Sequence, residues 1–153
     1  MQKPYFKINE GDPAPLKAVV SRRVRFEETD PLGIVWHGRY PGYFEDARVA
    51  LGEKYGVGYL DLYNNGIIAP IKKLHFDYYR PLRLMEHFTI ESIFHWSDAT
   101  RINYEFIIRD SMNEVATTGY TVQVLLDRDN NLFLAPPPFF KAFRDRWKAG
   151  ELK

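Results

Sequence analysis

One stretch of the chain, residues 23–40, combines side chains and backbone features that suit acid–base chemistry. Asp30 precedes a proline, which favours an extended backbone at Asp30 and keeps this carboxylate out of a helix. His37 and Gly38 lie shortly before a second proline, a residue type that is common in the first turn of a helix. Because the first amides of a helix lack intrahelical acceptors, they can stabilise a developing negative charge. The stretch can therefore supply a carboxylate base or nucleophile together with an oxyanion site.

The same residues also have ordinary structural interpretations. An aspartate beside a proline is most often a turn residue, and His37 alone could cap a helix or bond at the surface. Glu45 and Asp46 fit solvated or salt-bridged positions on a helix. Spacing alone leaves these alternatives open.

Composition excludes several classes of protein. The 153 residues include no cysteine, which removes disulfides, thiolate metal sites and cysteine nucleophiles. A formal net charge of +1 gives no overall basic field for nucleic acid, so no nucleic-acid partner is expected. The chain has no GxSxG, GxxxxGK[ST], GxGxxG or HExxH motif, and its histidines show no metal-ligand spacing. We therefore expect neither a metal nor a redox cofactor.

The hydropathy of the chain favours a cytoplasmic location. No apolar run approaches the roughly 18 residues that a membrane-spanning helix needs. The first fifteen residues, MQKPYFKINEGDPAP, also lack the apolar core of a signal peptide. We expect a polar arm over residues 1–15, one domain over residues 16–148 and a short tail over residues 149–153.

The order of predicted elements indicates the α+β class. A helix is predicted over residues 40–55, where Phe44, Ala47, Leu51 and Tyr55 form an apolar stripe that ends before Gly56. Period-two alternation predicts strands over residues 18–26, 72–79, 87–96, 101–109 and 115–126, and a last helix is predicted over residues 139–148. An antiparallel sheet with one apolar face would place the long helix across that face. The sheet edges would need cover, which a second copy of the chain can supply.

The stretch around Asp30 resembles the signature of the 4-hydroxybenzoyl-CoA thioesterase family, including its Tol-Pal-associated acyl-CoA thioesterase branch. The similarity extends to FEDAR at residues 44–48 and to HFDYYRPL at residues 75–82, and it covers roughly residues 16–148. The branch usually carries Tyr four residues before the aspartate, where this chain has Phe26. Every specified position of the signature is filled, by Arg23, Val24, Thr29, Asp30, Gly33, Ile34, Val35, His37 and Tyr40.

The resemblance implies a hotdog fold, in which a curved antiparallel sheet wraps around a long helix, and hydrolysis of acyl-CoA thioesters without a cofactor. Asp30 would be the nucleophile or the general base, His37 would assist it, and amides near Gly38 would hold the oxyanion. A homodimer or homotetramer with sites at the subunit boundary is also implied. The substrate-binding candidates are Phe26, Trp36 and Tyr40 for the acyl group, and Lys72, Lys73 and Arg80 for the CoA phosphates.

Two other functions fit a hotdog domain. A dehydratase or hydratase acting on acyl thioesters would need a helix carboxylate, for which Glu45 and Asp46 are available. A non-catalytic domain that binds acyl-CoA or a protein would release no thiol, and the missing hydroxyl at Phe26 favours that alternative.

Overall fold

A computed structural model describes residues 3–152 of the chain. Two short 3₁₀ helices, Phe26–Glu28 and His37–Arg39, flank the turn that contains Asp30. The main elements in chain order are β1 (Leu16–Arg23), α1 (Tyr40–Tyr55), α2 (Tyr59–Asn64), β2 (Ile71–Tyr78), β3 (His87–His95), β4 (Arg101–Arg109), β5 (Val115–Val124) and α3 (Pro138–Lys148).

The five strands form one antiparallel sheet in the order β1-β3-β4-β5-β2. β1 and β2 are therefore the two edges of the sheet, and α1 packs across one face. This is the α+β architecture that the sequence predicts, and the observed bounds of α1 and β4 agree with the predicted ones.

The packing of α1 on the sheet depends on one aromatic ring and one glycine. Phe44, Ala47 and Leu51 have no exposed surface, as the apolar stripe predicts. The ring of Phe44 stacks on Phe106 with a centroid separation of 4.3 Å. A Cβ at Gly119 would lie 2.7 Å from a carbon of that ring, so only glycine allows the helix to approach β5 this closely.

The sequence predicts one apolar face beneath the helix, and β5 departs from this pattern. Near Phe44 and Arg48 its side toward α1 carries small and polar residues, since Gly119 contacts Phe44 and Thr121 accepts a hydrogen bond from Arg48. Ala116 belongs to the core, whereas Phe6 of the N-terminal arm packs against Tyr120 on the opposite face with centroids 5.5 Å apart. The arm, and not the helix, covers that part of the sheet.

Several boundaries also differ from the predicted ones. β1 ends at Arg23 and not at residue 26, because the amide of Val24 bonds to the carbonyl of Glu86 and Phe26 begins a 3₁₀ helix. The stretch after α1 contains α2, which is not among the predicted elements. β2 and β3 each end one residue before their predicted ends, β5 ends two residues early and α3 begins one residue early.

The N-terminal arm, residues 3–15, forms neither helix nor strand and lies on the outer face of the sheet. The Tyr5 hydroxyl donates to the carboxylate of Asp77 and shares a 2.6 Å hydrogen bond with Thr118. Near the end of the arm, the carbonyl of Ala14 accepts a 2.8 Å hydrogen bond from Trp147 of α3. Within residues 3–152, no helix is both long enough and apolar enough to cross a bilayer.

Candidate active site

A tight turn after the first 3₁₀ helix holds Asp30. The amide of Gly33 donates to the Asp30 carbonyl at 3.0 Å, and the Asp30 amide donates to the Ile34 carbonyl at 2.9 Å. Gly33 adopts a φ of 75°, a left-handed conformation that glycine accepts at little cost. The glycine of the sequence motif therefore closes the turn that fixes the backbone of Asp30.

The Asp30 carboxylate is half-buried, and its two oxygens have different surroundings. One oxygen, Oδ1, accepts a 2.8 Å hydrogen bond from the amide of Leu32. The other forms no hydrogen bond within the described part of the chain. Asp30 lines a cavity of about 300 Å³ together with His37 and Tyr40. A carboxylate held by one oxygen and open at the other can act as a base or a nucleophile.

The second 3₁₀ helix, His37–Arg39, leads directly into α1. The amides of His37 and Gly38 lie in its first turn, where no intrahelical acceptor exists. Across residues 3–152 they donate to no other group. The Tyr78 hydroxyl donates to the His37 carbonyl at 3.0 Å and fastens this turn to the end of β2. Two free amides thus lie at the start of a helix, where its dipole favours negative charge.

Two tyrosines in the cavity stay protonated at neutral pH. Burial is the main cause that raises the pKa of Tyr40, and burial also raises the pKa of Tyr78. Their rings meet edge to face with centroids 5.1 Å apart. Both phenols are therefore neutral hydrogen-bonding groups, and neither is a candidate base.

Trp36 covers the backbone of the oxyanion candidate. A Cβ at Gly38 would collide with the Trp36 ring, so the glycine allows the indole to lie flat over the turn. The same ring lies 5.1 Å from the imidazole of His37, centroid to centroid. Trp36 is 49% exposed and is no core residue, and it lies beside the Asp30 cavity without lining it.

The cavity continues beyond the end of β2 into a second groove. Arg80 and Pro81 line both spaces, and the groove of about 650 Å³ adds Arg83 and His87. The side chains of Arg80 and Arg83 form no ion pair with any residue of the described range. They are cations available to an anionic ligand, and the carboxylates of Glu86 and Asp110 line the same groove.

The structure brings together only some of the predicted site residues. Asp30, His37, Tyr40 and Arg80 line one cavity, and Trp36 and Gly38 adjoin it. Phe26 is 81% exposed and does not line that cavity. Lys72 and Lys73 lie at the opposite end of β2, about 20 Å from Tyr78 at the usual rise of a strand. Within one chain, these three residues are therefore not part of the Asp30 site.

Five residues of the cavity were missed, namely Ile34, Val35, Tyr78, Tyr79 and Pro81. The two tyrosines and Pro81 occupy the end of a predicted strand and the turn after it, so an aromatic pair before a proline was the available signal. Nothing in local spacing shows that this strand end meets a turn more than forty residues earlier.

The helix carboxylates of the dehydratase alternative are held in ion pairs. Glu45 accepts a 2.6 Å hydrogen bond from Arg48, in agreement with the salt-bridged position that the sequence suggests for it. Asp46 pairs with Arg22 at 3.2 Å. Neither carboxylate lines the Asp30 cavity. In residues 3–152, no three His, Asp or Glu side chains converge as metal ligands would.

Comparisons with known proteins agree with this architecture. Residues 24–144 match the Thioesterase-like superfamily. A Bacillus subtilis protein named "Putative acyl-CoA thioesterase YneP" is 27% identical over 122 residues, which are 80% of this chain and 86% of that protein. The structure of DHNA-CoA thioesterase from Staphylococcus aureus has a TM-score of 0.78 at 25% identity and covers 88% of this chain and 91% of its own.

A second structure shows the fold alone. The 1,4-dihydroxy-2-naphthoyl-CoA thioesterase Slr0204 from Synechocystis has a TM-score of 0.73 at 14% identity, over 84% of this chain and 96% of its own. None of these matches separates the 4-hydroxybenzoyl-CoA branch from its relatives, so membership of that branch stays a prediction. Because the family match spans most of the chain, the protein belongs to the Thioesterase-like superfamily and is a thioester hydrolase with the hotdog fold.

Proposed function

We propose that this protein hydrolyses acyl-CoA thioesters, with Asp30 as the reacting carboxylate and the amides of His37 and Gly38 as the oxyanion site. The observation that carries the proposal is the pairing of the open Asp30 oxygen with the start of a helix at one cavity. The acyl-CoA and DHNA-CoA thioesterases among the similar proteins support coenzyme A as the carrier.

Two routes use the same groups. In the first, Asp30 takes a proton from water, and the resulting hydroxide attacks the thioester carbon. The carbon–sulfur bond then breaks, and the CoA thiolate takes the proton back from Asp30. In the second, Asp30 attacks the carbon itself, CoA leaves as a thiolate and water hydrolyses the acyl–aspartyl anhydride. In both routes the carbonyl oxygen becomes negative, and one preorganised amide donor contributes about 10²–10³ in rate.

The groove beyond Arg80 is suited to the nucleotide end of CoA. Arg80 lies between the Asp30 cavity and the groove that contains Arg83, and both guanidinium groups can bind phosphate. The acyl group would then lie on the other side of the carbonyl, with Trp36 and Tyr40 as walls. Lys72 and Lys73 could reach CoA only from the second subunit of the homodimer or homotetramer that the sequence predicts.

The direct test is thiol release from a panel of short, long and aromatic acyl-CoA esters. Asp30→Asn should lower kcat at least about 10²-fold on the best substrate, because it removes the base while keeping the shape of the side chain. Asp46→Asn is the matched control, since this carboxylate pairs with Arg22 outside the cavity, and it should keep near-wild-type activity.

Each alternative function predicts a different result. Near-wild-type hydrolysis by Asp30→Asn would refute the assignment of Asp30. Consumption of an enoyl thioester without thiol release would indicate a hydratase. Saturable binding with no thiol release from any ester would indicate a non-catalytic domain.

A further inference from the structure

A second cavity lies between the C-terminal half of α1, the short helix α2 and the sheet. Its volume is about 370 Å³, and it shares no lining residue with the Asp30 cavity. Small-molecule sites are of this size and are mostly apolar with a few placed polar groups. The apolar lining residues are Val49, Val57, Leu60, Leu62 and Ile102, and the other lining residues are Arg48, Glu53, Gly58, Tyr59, Asp61, Tyr104 and Gln123.

Gln123 contributes an acceptor with no donor. The residue is 2% exposed, and its amide nitrogen donates to the Ala69 carbonyl at 2.6 Å. This hydrogen bond fixes which end of the amide is oxygen. The oxygen, Oε1, is buried and accepts no hydrogen bond within the described part of the chain. Leaving a buried acceptor unpaired costs free energy, so a missing donor is indicated.

Arg48 contributes a donor with no acceptor. It is 5% exposed, and its two terminal nitrogens bond to Glu45, Tyr59 and Thr121. These bonds hold the guanidinium in place, over the rings of Tyr104 and Phe106. Its remaining nitrogen, Nε, is buried and donates to no group of residues 3–152. The charge of Arg48 is balanced by Glu45, and only the Nε–H is available to a ligand.

Tyr104 adds a hydroxyl to the same lining. The residue is 3% exposed, and its hydroxyl forms no hydrogen bond with the described residues. Burial raises the pKa of Tyr104, so the hydroxyl stays protonated at neutral pH and can donate or accept. The cavity therefore offers a donor, an acceptor and an amphiprotic group inside an apolar lining.

We propose that this cavity binds an apolar small molecule, or an apolar part of one, that carries a hydroxyl group. A hydroxyl group can both accept and donate, so it can accept from Arg48 Nε and can donate to Gln123 Oε1, the two kinds of bond that the orphaned atoms lack. A carboxylate could accept from Arg48 but could not donate to Gln123. A methyl group would satisfy neither atom.

Two sources can supply this chemistry, namely the acyl part of the thioester or a free alcohol or phenol. The binding inference stands without the proposed function, and only the assignment to the acyl part rests on it. The two sources are separated by competition, as described below.

The test is isothermal titration calorimetry with two probes of similar shape, 4-propylphenol and 4-propyltoluene. The wild-type protein should bind the phenol at least about tenfold more tightly, since a site built around a hydroxyl rejects the analogue that lacks it. Gln123→Leu should remove this preference, and Tyr104→Phe should reduce it. Asp30→Asn tests whether the phenol binds in the Asp30 cavity instead. If it binds in the cavity proposed here, this variant should bind it as the wild type does.

A blocking variant keeps the test decisive if Gln123→Leu fails to fold. Val49 lines the cavity and is 37% exposed, so Val49→Trp can fill the space without disturbing the core, and both probes should then fail to bind. Equal affinity for the two probes, no binding of either, or a preference that survives Val49→Trp would overturn the proposal. In the first two cases ordered water is sufficient to pair the orphaned atoms.

Competition in Asp30→Asn then identifies the source without requiring turnover. Displacement of 4-propylphenol by an acyl-CoA with a hydroxylated acyl group assigns the cavity to the substrate. If the phenol stays bound beside a bound acyl-CoA, the cavity is a separate site for a free alcohol or phenol. Because binding is measured and not hydrolysis, a failure of the proposed function would leave this result readable.

Discussion

Two aspartates of this protein show how differently a carboxylate can be used. Asp30 sits in a turn, accepts one hydrogen bond from the backbone and keeps its second oxygen open to a cavity. Asp77 sits on β2, and its carboxylate accepts a hydrogen bond from Tyr5 and lies 2.9 Å from His75 Nε2. Judged by residue type alone, the Asp–His–Tyr cluster around Asp77 resembles a catalytic site more than the surroundings of Asp30 do.

The partners of Asp77 show that its role is structural. The Tyr5 hydrogen bond first, and the His75 contact second, hold the pKa of Asp77 below its ordinary value. One of these partners belongs to the N-terminal arm, so the carboxylate fastens the arm to the sheet. Both contacts use Oδ2 of Asp77, and its Oδ1 forms no hydrogen bond with the described residues, so an unbonded oxygen alone does not separate the two aspartates. The difference is that Asp30 lines a cavity together with the start of a helix, whereas Asp77 does not line that cavity.

After the loss expected for Asp30→Asn itself, the largest expected effect comes from straining the turn of Asp30. Gly33 has a φ of 75°, and no described atom lies within 4 Å of the position that a Cβ would take, so Gly33→Ala adds conformational strain of about 1–2 kcal/mol and no clash. The strain should shift the Asp30 carboxylate, and kcat should fall about tenfold, since small misplacements of reacting groups are costly. Steady-state thiol release and urea unfolding measure the two effects.

Gly66 supplies a matched control for that variant. It has the same φ of 75° and equally open surroundings, but it lies after α2 and outside the Asp30 cavity. Gly66→Ala should lose the same stability while kcat changes less than about twofold. Equal losses of kcat in both variants would show that general destabilisation, and not the placement of Asp30, controls the rate.

The second prediction addresses the oxyanion side of the same site. Gly38→Ala forces the half-exposed ring of Trp36 off the turn and should lower kcat about threefold to fivefold through displaced amides. In the Trp36→Ala background the added methyl has no ring to displace, so Gly38→Ala should then have little effect. A double-mutant cycle on kcat measures this coupling, and simple additivity of the two losses would contradict it.

The elements of the fold were predictable where a local sequence pattern is sufficient to define them. The stripe of Phe44, Ala47 and Leu51 with a terminal Gly56 predicts α1, and period-two alternation predicts β2 to β5. Which side of β5 faces α1 was not predictable in the same way. Its apolar side is covered by Tyr5 and Phe6, which stand in an otherwise polar arm, so the choice between the two sides depends on a contact between distant parts of the chain.

The candidate site likewise contains residues that a local motif predicts and residues that only tertiary contacts bring there. Asp30, His37 and Tyr40 lie within eleven residues, so the motif that predicts them also builds their geometry. Tyr78 and Arg80 reach the cavity only because β2 ends beside that turn, and the orphaned atoms of Arg48 and Gln123 depend on the packing of α1 and α2 on the sheet. Local spacing carries no information about such contacts.

The third prediction concerns the arm and should leave catalysis almost unchanged. Tyr5→Phe removes the hydroxyl that bonds to Asp77 and Thr118, so the arm should detach more often and be cut faster in limited proteolysis with trypsin after Lys7. His37→Ala is the control in this assay, because its exposed side chain does not touch the arm, and it should leave the cutting rate unchanged. Thiol release by Tyr5→Phe should stay within about twofold of the wild type, and a larger loss would mean that the arm supports the Asp30 site.

The smallest effect is a pH dependence that belongs to Asp77. Because the folded pKa of this carboxyl is lowered, ionised Asp77 contributes stability above its ordinary pKa, near 3.9, and this contribution is lost as the pH falls through the lowered folded value. The difference in Tm between wild type and Asp77→Asn should therefore be constant from about pH 7 to pH 5 and should shrink below about pH 4. Tyr5→Phe removes the larger cause of the lowered pKa, so its difference in Tm from the wild type should shrink over the same range. A difference for Asp77→Asn that stays the same down to pH 3 would show that the bonds from Tyr5 and His75 do not depend on the charge, and the structural role assigned to Asp77 would then lose its electrostatic basis.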